Sequence, residues 1–278
     1  MEEIVKAILC SMSRVNKPQR GFILILLSAL MVFQGKATFR NLSRYSATHE
    51  KTFSRWFRKR FDFTEFNQRL ISHEIPTGST LIGAVDASFV SKSGKCTEGL
   101  GYFWNGSRQQ SERGLEISSI CAVDMKANTA YALNAKQTID TESGHGVRTT
   151  QYVEHLNETA PALNALGVQH IAADALYSNK TFVGAVVGLV GFFHVGRLRA
   201  DANLNWLYEG KQGKRGRPKK YDGKVDLSKG VPDRFEYSGF HKATTGVAIL
   251  ARPHHVSFIR SAALARRRLR CNSLKSAI

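Results

Sequence analysis

Two aspartates interrupt short apolar runs at positions where a strand pattern predicts a buried residue. Asp86 stands in IGAVDAS and Asp174 in IAADALY, and an alanine follows each of them (Ala87 and Ala175). A lone carboxylate in such a place suffers a large desolvation penalty unless it is paired or binds a cation. The repeated pattern, near the C-terminal end of each run, predicts one metal site built from two neighbouring strands.

The ligand types at this predicted site favour hard cations. Oxygen ligands without a nearby cysteine or histidine indicate Mg²⁺ or Mn²⁺ rather than zinc. Two such ions can promote in-line attack on a phosphodiester. The alternative interpretation is that each aspartate is a hydrogen-bonded turn former just beyond its strand. The cysteines indicate neither zinc nor a disulfide framework, because no two of them have a paired spacing; they are Cys10, Cys96, Cys121 and Cys271.

The charge of the chain is uneven as well as large. The formal net charge is +18 over 278 residues. Lys36–Arg60 carries eight Lys or Arg against one acid, Lys211–Lys224 seven against one, and Arg252–Lys275 seven against none. Leu81–Ala175 carries seven basic residues against ten acidic ones. Basic arms around an acidic middle are expected if the arms hold a polyanion and the middle holds cations.

Residues 1–75 have the pattern of a helical, helix-turn-helix-like DNA-binding region. Phe53 and Phe57 lie four apart on the apolar face of a short second helix, and Ser46 and Thr48 are plausible caps before it. An ordinary helical hairpin with a solvated basic face is the alternative. The candidate DNA-binding residues off the apolar face are Arg55, Arg58, Lys59 and Arg60.

The same region contains the longest apolar run of the chain, Phe22–Phe33. This run is too short to span a bilayer, so it predicts a buried helix and no membrane partner. Met1–Lys6 lacks the features of a secretory signal. We therefore expect a cytoplasmic protein.

Residues 76–200 change to a strand-rich pattern. LIGAVDASFV predicts a buried strand, and ISSICAVDM with ANTAYALNAKQT predicts two paired strands around the turn 124–128. A helix containing Pro161 and ended by Gly167 follows, then the strand HIAADALYS, the helix KTFVGAVVGL and the strand GFFHVGRLR. This order predicts an α/β fold with a mixed sheet and flanking helices.

Residues 201–245 form a basic segment around the tetrapeptide RGRP. An extended Arg-Gly-Arg-Pro can lie along the narrow minor groove of A·T-rich DNA. Contact with phosphates alone is the favoured interpretation, since backbone contacts supply most of the affinity. The candidate DNA-binding residues of this segment are Lys214, Arg215, Arg217, Lys219 and Lys220.

Four stretches together resemble bacterial insertion-sequence transposases of the DDE class: NLSRYSATHEKTFSRWFRKRFDFTEFN, LIGAVDASFVSKSG, IAADALYSN and VGRLRADANLNWLYEGKQGKRGRPKKYDGKVDL. The resemblance implies a ribonuclease H-like core with Asp86 on its first strand and Asp174 on its fourth, both catalytic and both ligands of Mg²⁺ or Mn²⁺. It implies hydrolysis and strand transfer at element ends, with double-stranded DNA as partner, a possible homodimer on DNA and a location at the bacterial nucleoid.

The C-terminal part departs from that family's pattern. The family continues with a third acid, a glutamate on a helix, whereas residues 246–278 contain no Asp or Glu. Their Arg/Ala/Ser-rich composition is typical of an out-of-frame tail. Glu209 and Glu236 are the late glutamates available. We therefore expect a truncated or frame-shifted transposase without activity; a non-catalytic DNA-binding remnant or regulator is the alternative.

Overall fold

The computed structural model describes residues 2–94, 97–139, 145–197, 204–213, 216–225, 235–243, 246–253 and 256–258. Lys214, Arg215 and most of the predicted atypical tail, residues 259–278, lie outside the described residues. The chain forms two compact units. The first comprises Met1–Asp140 with His155–Gln169, and the second comprises Thr141–Glu154 with His170–Ile278.

The first unit begins with five helices, in the region that the sequence predicts to be helical. They are α1 (Glu2–Ser11), α2 (Lys17–Val32), α3 (Phe39–Arg44), α4 (Glu50–Phe57) and α5 (Phe63–Glu74). A side chain caps the first turn of the last four of these helices by accepting a backbone N–H; the capping residues are Asn16, Thr38, His49 and Asp62. Leu9, Met12 and Phe53 are buried in the core of this helical region. The Phe22 ring stacks on Trp56 at 5.3 Å and meets Phe53 edge-on at 5.5 Å.

Three details of the helical prediction are wrong. Phe57 is 77% exposed although Phe53, four residues earlier, is 2% exposed, so the apolar face of α4 is narrower than predicted. His49, rather than Ser46 or Thr48, caps α4. The apolar run in α2 is only partly buried, since the side chains near its end are exposed. The described part of the chain contains no helix whose length and hydropathy would let it cross a membrane.

Four antiparallel strands follow in the first unit. They are β1 (Leu81–Ser91), β2 (Gly101–Asn105), β3 (Gln110–Asp124) and β4 (Thr129–Thr138). The central strand β3 pairs with each of the other three. Burial alternates along β3, so one face of these strands is buried and the other is half-exposed. The buried Asp124 fixes the predicted turn by accepting the N–H groups of Lys126 at 2.8 Å and Ala127 at 3.0 Å.

Strands β2 and β3 continue beyond the end of β1 as a two-stranded ribbon. Ser91, the last residue of β1, is paired with Gly114, and Gln110–Arg113 of β3 pair only with β2 among the described strands. A Cβ on Gly114 would lie 2.4 Å from the Phe89 ring and 2.5 Å from the Val90 carbonyl oxygen. Glycine is therefore required where the ribbon leaves the wider sheet.

Helix α6 (His145–Ala165) contributes residues to both units. Within the first unit, His155, Leu156, Thr159 and Leu163 are buried along it. The helix continues through Pro161, and Gly167, with a φ of +72°, follows its end. The predicted helix and its glycine stop are confirmed.

The second unit contains the parallel strands β5 (His170–Ala173) and β6 (Phe193–Gly196). Between them lie a 3₁₀ turn at Ala175–Tyr177, the short helix α7 (Lys180–Gly184) and a π-helical turn at Ala185–Leu189. The Tyr177 ring contacts Phe182 at 4.9 Å and Tyr152 at 5.0 Å. Parallel and antiparallel strand pairs with flanking helices confirm the predicted mixed α/β class.

The remaining described strands form two small sheets. β7 (Leu204–Leu207) lies between β8 (Tyr221–Lys224) and β11 (Val256–Phe258), and β9 (Phe235–Ala243) pairs with β10 (Gly246–Pro253). Of the two late glutamates, Glu209 follows β7 and is exposed, while Glu236 lies in β9 opposite Arg252. Neither belongs to a helix.

Candidate active site and nucleic-acid interface

Asp86 is the sixth residue of β1, and it lies where the buried part of that strand ends. Val85 before it is 3% exposed, whereas Asp86 itself is exposed. Asp86 pairs with Ser119 on the neighbouring strand β3, so the two side chains share the half-exposed face of the sheet. On that face burial, and secondarily the charge of Asp86, raises the pKa of the Cys121 thiol. The prediction of a buried carboxylate at this position is wrong.

Asp174 directly follows β5 and is also exposed. Its Oδ1 accepts the backbone N–H of Leu176 at 2.9 Å, and its carbonyl oxygen accepts the N–H of Tyr177 at 3.2 Å. Asp174 is therefore the N-terminal cap of the 3₁₀ turn and makes the hydrogen bond that the turn-former interpretation predicts, while its role as a metal ligand stays a prediction. Asp86 lies within its strand, so that alternative is wrong for it.

Both carboxylates have the chemistry that a divalent cation requires. Each presents hard oxygen atoms to solvent, and Asp174 keeps Oδ2 as a second oxygen besides the one that accepts the Leu176 N–H. Among the described residues, no group of three or more His, Cys, Asp or Glu is placed to hold a metal ion.

The basic residues at the end of α4 are all exposed. Arg55 is on the helix, Arg58 is its C-terminal cap, and Lys59 and Arg60 follow it. The Gln19 side-chain amide donates to the Arg60 carbonyl oxygen at 2.8 Å, which holds this backbone against α2. The four cations therefore extend into solvent from an anchored backbone, as a phosphate-binding surface requires.

The second basic surface is the loop between β7 and β8. Gln212 accepts the backbone N–H of Lys219 and donates to its carbonyl oxygen, each at 2.8 Å, so the base of the loop is closed. The Lys219 ammonium is 3.2 Å from the Asp222 carboxylate and 4.5 Å from the centre of the Tyr208 ring. Arg217 and Lys220 are exposed. Lys219 thus contacts other residues of the loop, and all three cations, Arg217, Lys219 and Lys220, are exposed.

Sequence reasoning missed two exposed aromatic residues on β2. Tyr102 is 65% exposed and Trp104 is 60% exposed, and both point to the same side of the ribbon. Phe103 between them is fully buried. The alternation of three aromatic residues after Gly101 is the signal that could have revealed them, since consecutive strand residues point to opposite faces.

The family of the chain follows from comparison with known proteins. The model of the family described as DDE superfamily endonuclease matches residues 10–236. The match covers most of the chain, so the protein belongs to this family of endonucleases, as the sequence resemblance indicated. Its mixed α/β structure agrees with the ribonuclease H-like core expected of the family. No curated protein matches the chain.

Two solved structures have a limited similarity to this chain. One is Endonuclease V of Ciona intestinalis with a 24mer DNA containing an inosine followed by a ribo-adenosine, at 12% identity and a TM-score of 0.28. That alignment covers 52% of this chain and 57% of the other. A variant of the same enzyme with a 23mer DNA aligns at 11% identity, with a TM-score of 0.28 and coverages of 54% and 58%. The chain thus spans little more than half of their length.

Proposed function

We propose that this chain is by descent a DNA transposase of the DDE class, a type of enzyme that acts on phosphodiesters at the ends of an insertion sequence. The observation that carries the proposal is the position of two aspartates in a chain of this endonuclease family. Asp86 follows the last buried residue of β1, Asp174 directly follows β5, and each presents its carboxylate to solvent. The partner is double-stranded DNA in the bacterial cytoplasm, bound by a homodimer.

In this proposal Asp86 and Asp174 hold Mg²⁺ or Mn²⁺. The ion, when bound, polarises the phosphodiester and stabilises the charge that develops on the leaving oxygen. The two aspartates would orient the ion through their carboxylate oxygens, because each residue is held in place by its neighbours. Asp86 is fixed by the pairing of β1 with β3, and Asp174 by its hydrogen bond to Leu176.

The two basic surfaces bind the DNA backbone in this proposal. Exposed cations contact phosphates and release counterions, which gives affinity without reading sequence. The cations on α4 and directly after it extend from a backbone that Gln19 holds against α2. The cations of the β7–β8 loop extend from a loop whose base is closed by the hydrogen bonds of Gln212. The residues are Arg55, Arg58, Lys59, Arg60, Arg217, Lys219 and Lys220, together with Lys214 and Arg215, whose structure is not described.

A second candidate function is DNA binding without catalysis. It is favoured by the lack of a group of three acidic or histidine ligands among the described residues. Of the late glutamates, Glu209 is exposed in a loop and Glu236 lies in a strand, so neither has the helical position that the family's third acid occupies. A site with two aspartates holds one ion weakly and gives the second ion no protein anchor.

A single assay with purified chain separates the two candidates. Supercoiled DNA carrying the ends of the element is incubated with the chain in Mg²⁺ and then in Mn²⁺, and binding is followed in parallel by fluorescence anisotropy. Cleavage at the ends that disappears in Asp86→Asn and Asp174→Asn supports the transposase. Binding without any cleavage supports the second candidate. Absence of binding to any duplex would contradict both.

A further inference from the structure

The ribbon formed by β2 and the start of β3 has one exposed face that contains Tyr102, Trp104, Ser111 and Arg113. We call these four residues the ribbon face. Tyr102 is opposite Arg113, and Trp104 is opposite Ser111 in the antiparallel register. All four residues are exposed. The ribbon face thus presents two large aromatic rings and an arginine side by side.

The ribbon beneath this face is held rigidly from the other side. The Glu112 carboxylate accepts hydrogen bonds from Asn105 at 2.6 Å and from Arg108 and Gln110 at 2.8 Å each, which ties the tip of the hairpin to β3. These hydrogen bonds, with that of Asn105 the strongest, lower the pKa of Glu112 to about 2. Phe103 anchors the same side in the core. The exposed rings are therefore presented by a fixed backbone.

The spacing of the rings selects the form of nucleic acid that fits them. Residues two apart on a strand are about 6.8 Å apart along it, about twice the spacing of bases along a duplex strand, which is about 3.4 Å. Bases that stack on Tyr102 and Trp104 must therefore be separated from each other. An extended single strand allows this separation, whereas a paired and stacked duplex does not.

The charge of the ribbon agrees with an anionic partner. Arg113 is exposed on the ribbon face opposite Tyr102, while the one acid of the ribbon, Glu112, points to the other side and is paired with Arg108 at 2.8 Å. An arginine beside aromatic rings both neutralises phosphate and stacks on bases. The ribbon face thus combines the two features of single-strand binding surfaces, a positive charge and stacking rings.

We propose that the ribbon face binds unpaired nucleotides of single-stranded DNA, with one base stacked on Trp104, a second on Tyr102, and Arg113 at the phosphate between them. This inference deepens the proposed function, on which it rests, because DNA cleavage and strand transfer expose unpaired nucleotides. It gives the chain a second DNA contact, distinct from the basic surfaces that bind duplex DNA.

The test measures binding of a labelled oligothymidylate of about 15 nucleotides and of a duplex to the full chain by fluorescence anisotropy. Trp104→Ala and Tyr102→Ala should each weaken single-strand binding about tenfold and leave duplex binding unchanged. Trp104→Phe should restore most of the affinity, because its ring still stacks. Phe63→Ala, which removes a 54% exposed ring from α5, is the matched control and should change neither affinity.

Tryptophan emission gives an independent measurement on the unmodified chain. Trp104 is the exposed one of the three tryptophans, since Trp56 is half-buried and Trp206 is 8% exposed. Oligothymidylate should quench the emission of the wild type and not that of Trp104→Phe. Equal single-strand affinity in the wild type and the two alanine variants, with circular dichroism showing that all fold, would overturn the inference. So would dissociation of a dimer on Trp104→Ala without loss of DNA affinity, which would assign this face to a second copy of the chain.

The outcome is independent of whether the chain cleaves DNA. Single-strand binding that depends on Trp104 supports the ribbon face even if no cleavage occurs and the proposed catalytic function fails. Cleavage that depends on Asp86, together with unchanged single-strand affinity in the ribbon variants, supports the catalytic proposal and overturns this one.

Discussion

The Nδ1 atom of His155 on α6 lies 2.9 Å from the Ser118 hydroxyl on β3, and both residues are buried. The other ring nitrogen, Nε2, is buried and has no hydrogen-bond partner among the described residues. Burial, and secondarily the charge of Lys136, lowers the pKa of His155 to about 4, while Glu158 acts weakly in the opposite direction. A neutral imidazole is thus part of the core between this helix and the sheet.

This histidine makes the stability of the protein depend on pH. The unfolded chain binds a proton near the ordinary pKa of 6.5, whereas the folded chain binds it only near 4. Unfolding therefore takes up a proton in this window, and the free energy of unfolding should fall as pH falls from 6.5 towards 4. Urea denaturation at several pH values should show a smaller fall for His155→Gln. An equal fall in His155→Gln and in the wild type would contradict the neutral, buried imidazole.

The two phenylalanines of α4 should differ strongly in their contribution to stability. Phe53→Ala removes a 2% exposed ring that contacts Phe22, so we expect a loss of about 3–5 kcal/mol in the free energy of unfolding. Phe57→Ala removes a 77% exposed ring that contacts the Phe39 ring, so the loss should stay below about 1.5 kcal/mol. Chemical denaturation of both variants measures the difference. Equal losses would contradict the burial of α4.

The aspartates can be tested through metal binding, without any need for turnover. Asp86→Asn and Asp174→Asn should each weaken Mn²⁺ binding by at least about tenfold, since even indirect partners of metal ligands change affinity by about 10–100-fold. Asp62→Asn is the matched control, because asparagine also caps a helix and Asp62 caps α5. Mn²⁺ paramagnetic resonance of the free ion gives the affinities. If Asp86→Asn and Asp174→Asn bind Mn²⁺ as tightly as the control Asp62→Asn, the two aspartates do not hold the metal and this part of the proposed function is wrong.

The β7–β8 loop predicts a change in the salt dependence of DNA binding. Arg217→Ala and Lys220→Ala together should reduce the slope of log affinity against log salt by about 2, because each lost phosphate contact releases about one counterion fewer. Lys219→Ala should instead loosen the loop, since Lys219 contacts Asp222 and Tyr208. Lys126→Ala, an exposed lysine in the β3–β4 turn, is the control. An unchanged slope in the double variant would show that this loop does not contact DNA.

The carboxylate at the tip of the ribbon predicts a second pH effect. Glu112 has a pKa of about 2 in the folded chain against an ordinary value of 4.5, so its stabilising effect is complete above pH 4.5 and is lost as pH falls towards 2. Glu112→Gln should therefore be less stable than the wild type at pH 7, and the difference should shrink in that acidic window. Urea denaturation at pH 7 and pH 3 measures it. A constant difference would contradict the ionised carboxylate.

Periodicity predicted the elements better than it predicted which side chains they bury. The turn at 124–128 and the strands β3 and β4 follow from alternation and from the Asp124 turn, both local signals. The apolar run around Asp86 indicated a strand covered on both faces, whereas burial in β1 is one-sided and ends at Val85. Whether another element covers a face depends on tertiary packing, which a short apolar run does not encode.

The candidate site was also predicted only in part, because local hydrogen bonds follow from the sequence whereas exposure depends on tertiary packing. The sequence identified Asp174 and offered both a metal ligand and a turn former, and the structure shows the turn because its hydrogen bond to Leu176 is local. It missed Trp104, because an aromatic residue in a strand is by default assigned to the core. It did not identify the contact of Lys219 with Asp222, three residues later.

The hydrogen bond between Asp174 Oδ1 and the Leu176 N–H has a thermodynamic consequence for any cation that this residue receives. A free aspartate loses rotamer freedom when it coordinates an ion, and immobilising one such side chain costs about 0.5–1.5 kcal/mol. The Asp174 side chain is already held in one orientation when the 3₁₀ turn forms. The side chain therefore loses this rotamer freedom on folding, before any ion binds. The entropy loss on binding is then smaller, and it lowers the affinity of the carboxylate for the ion less.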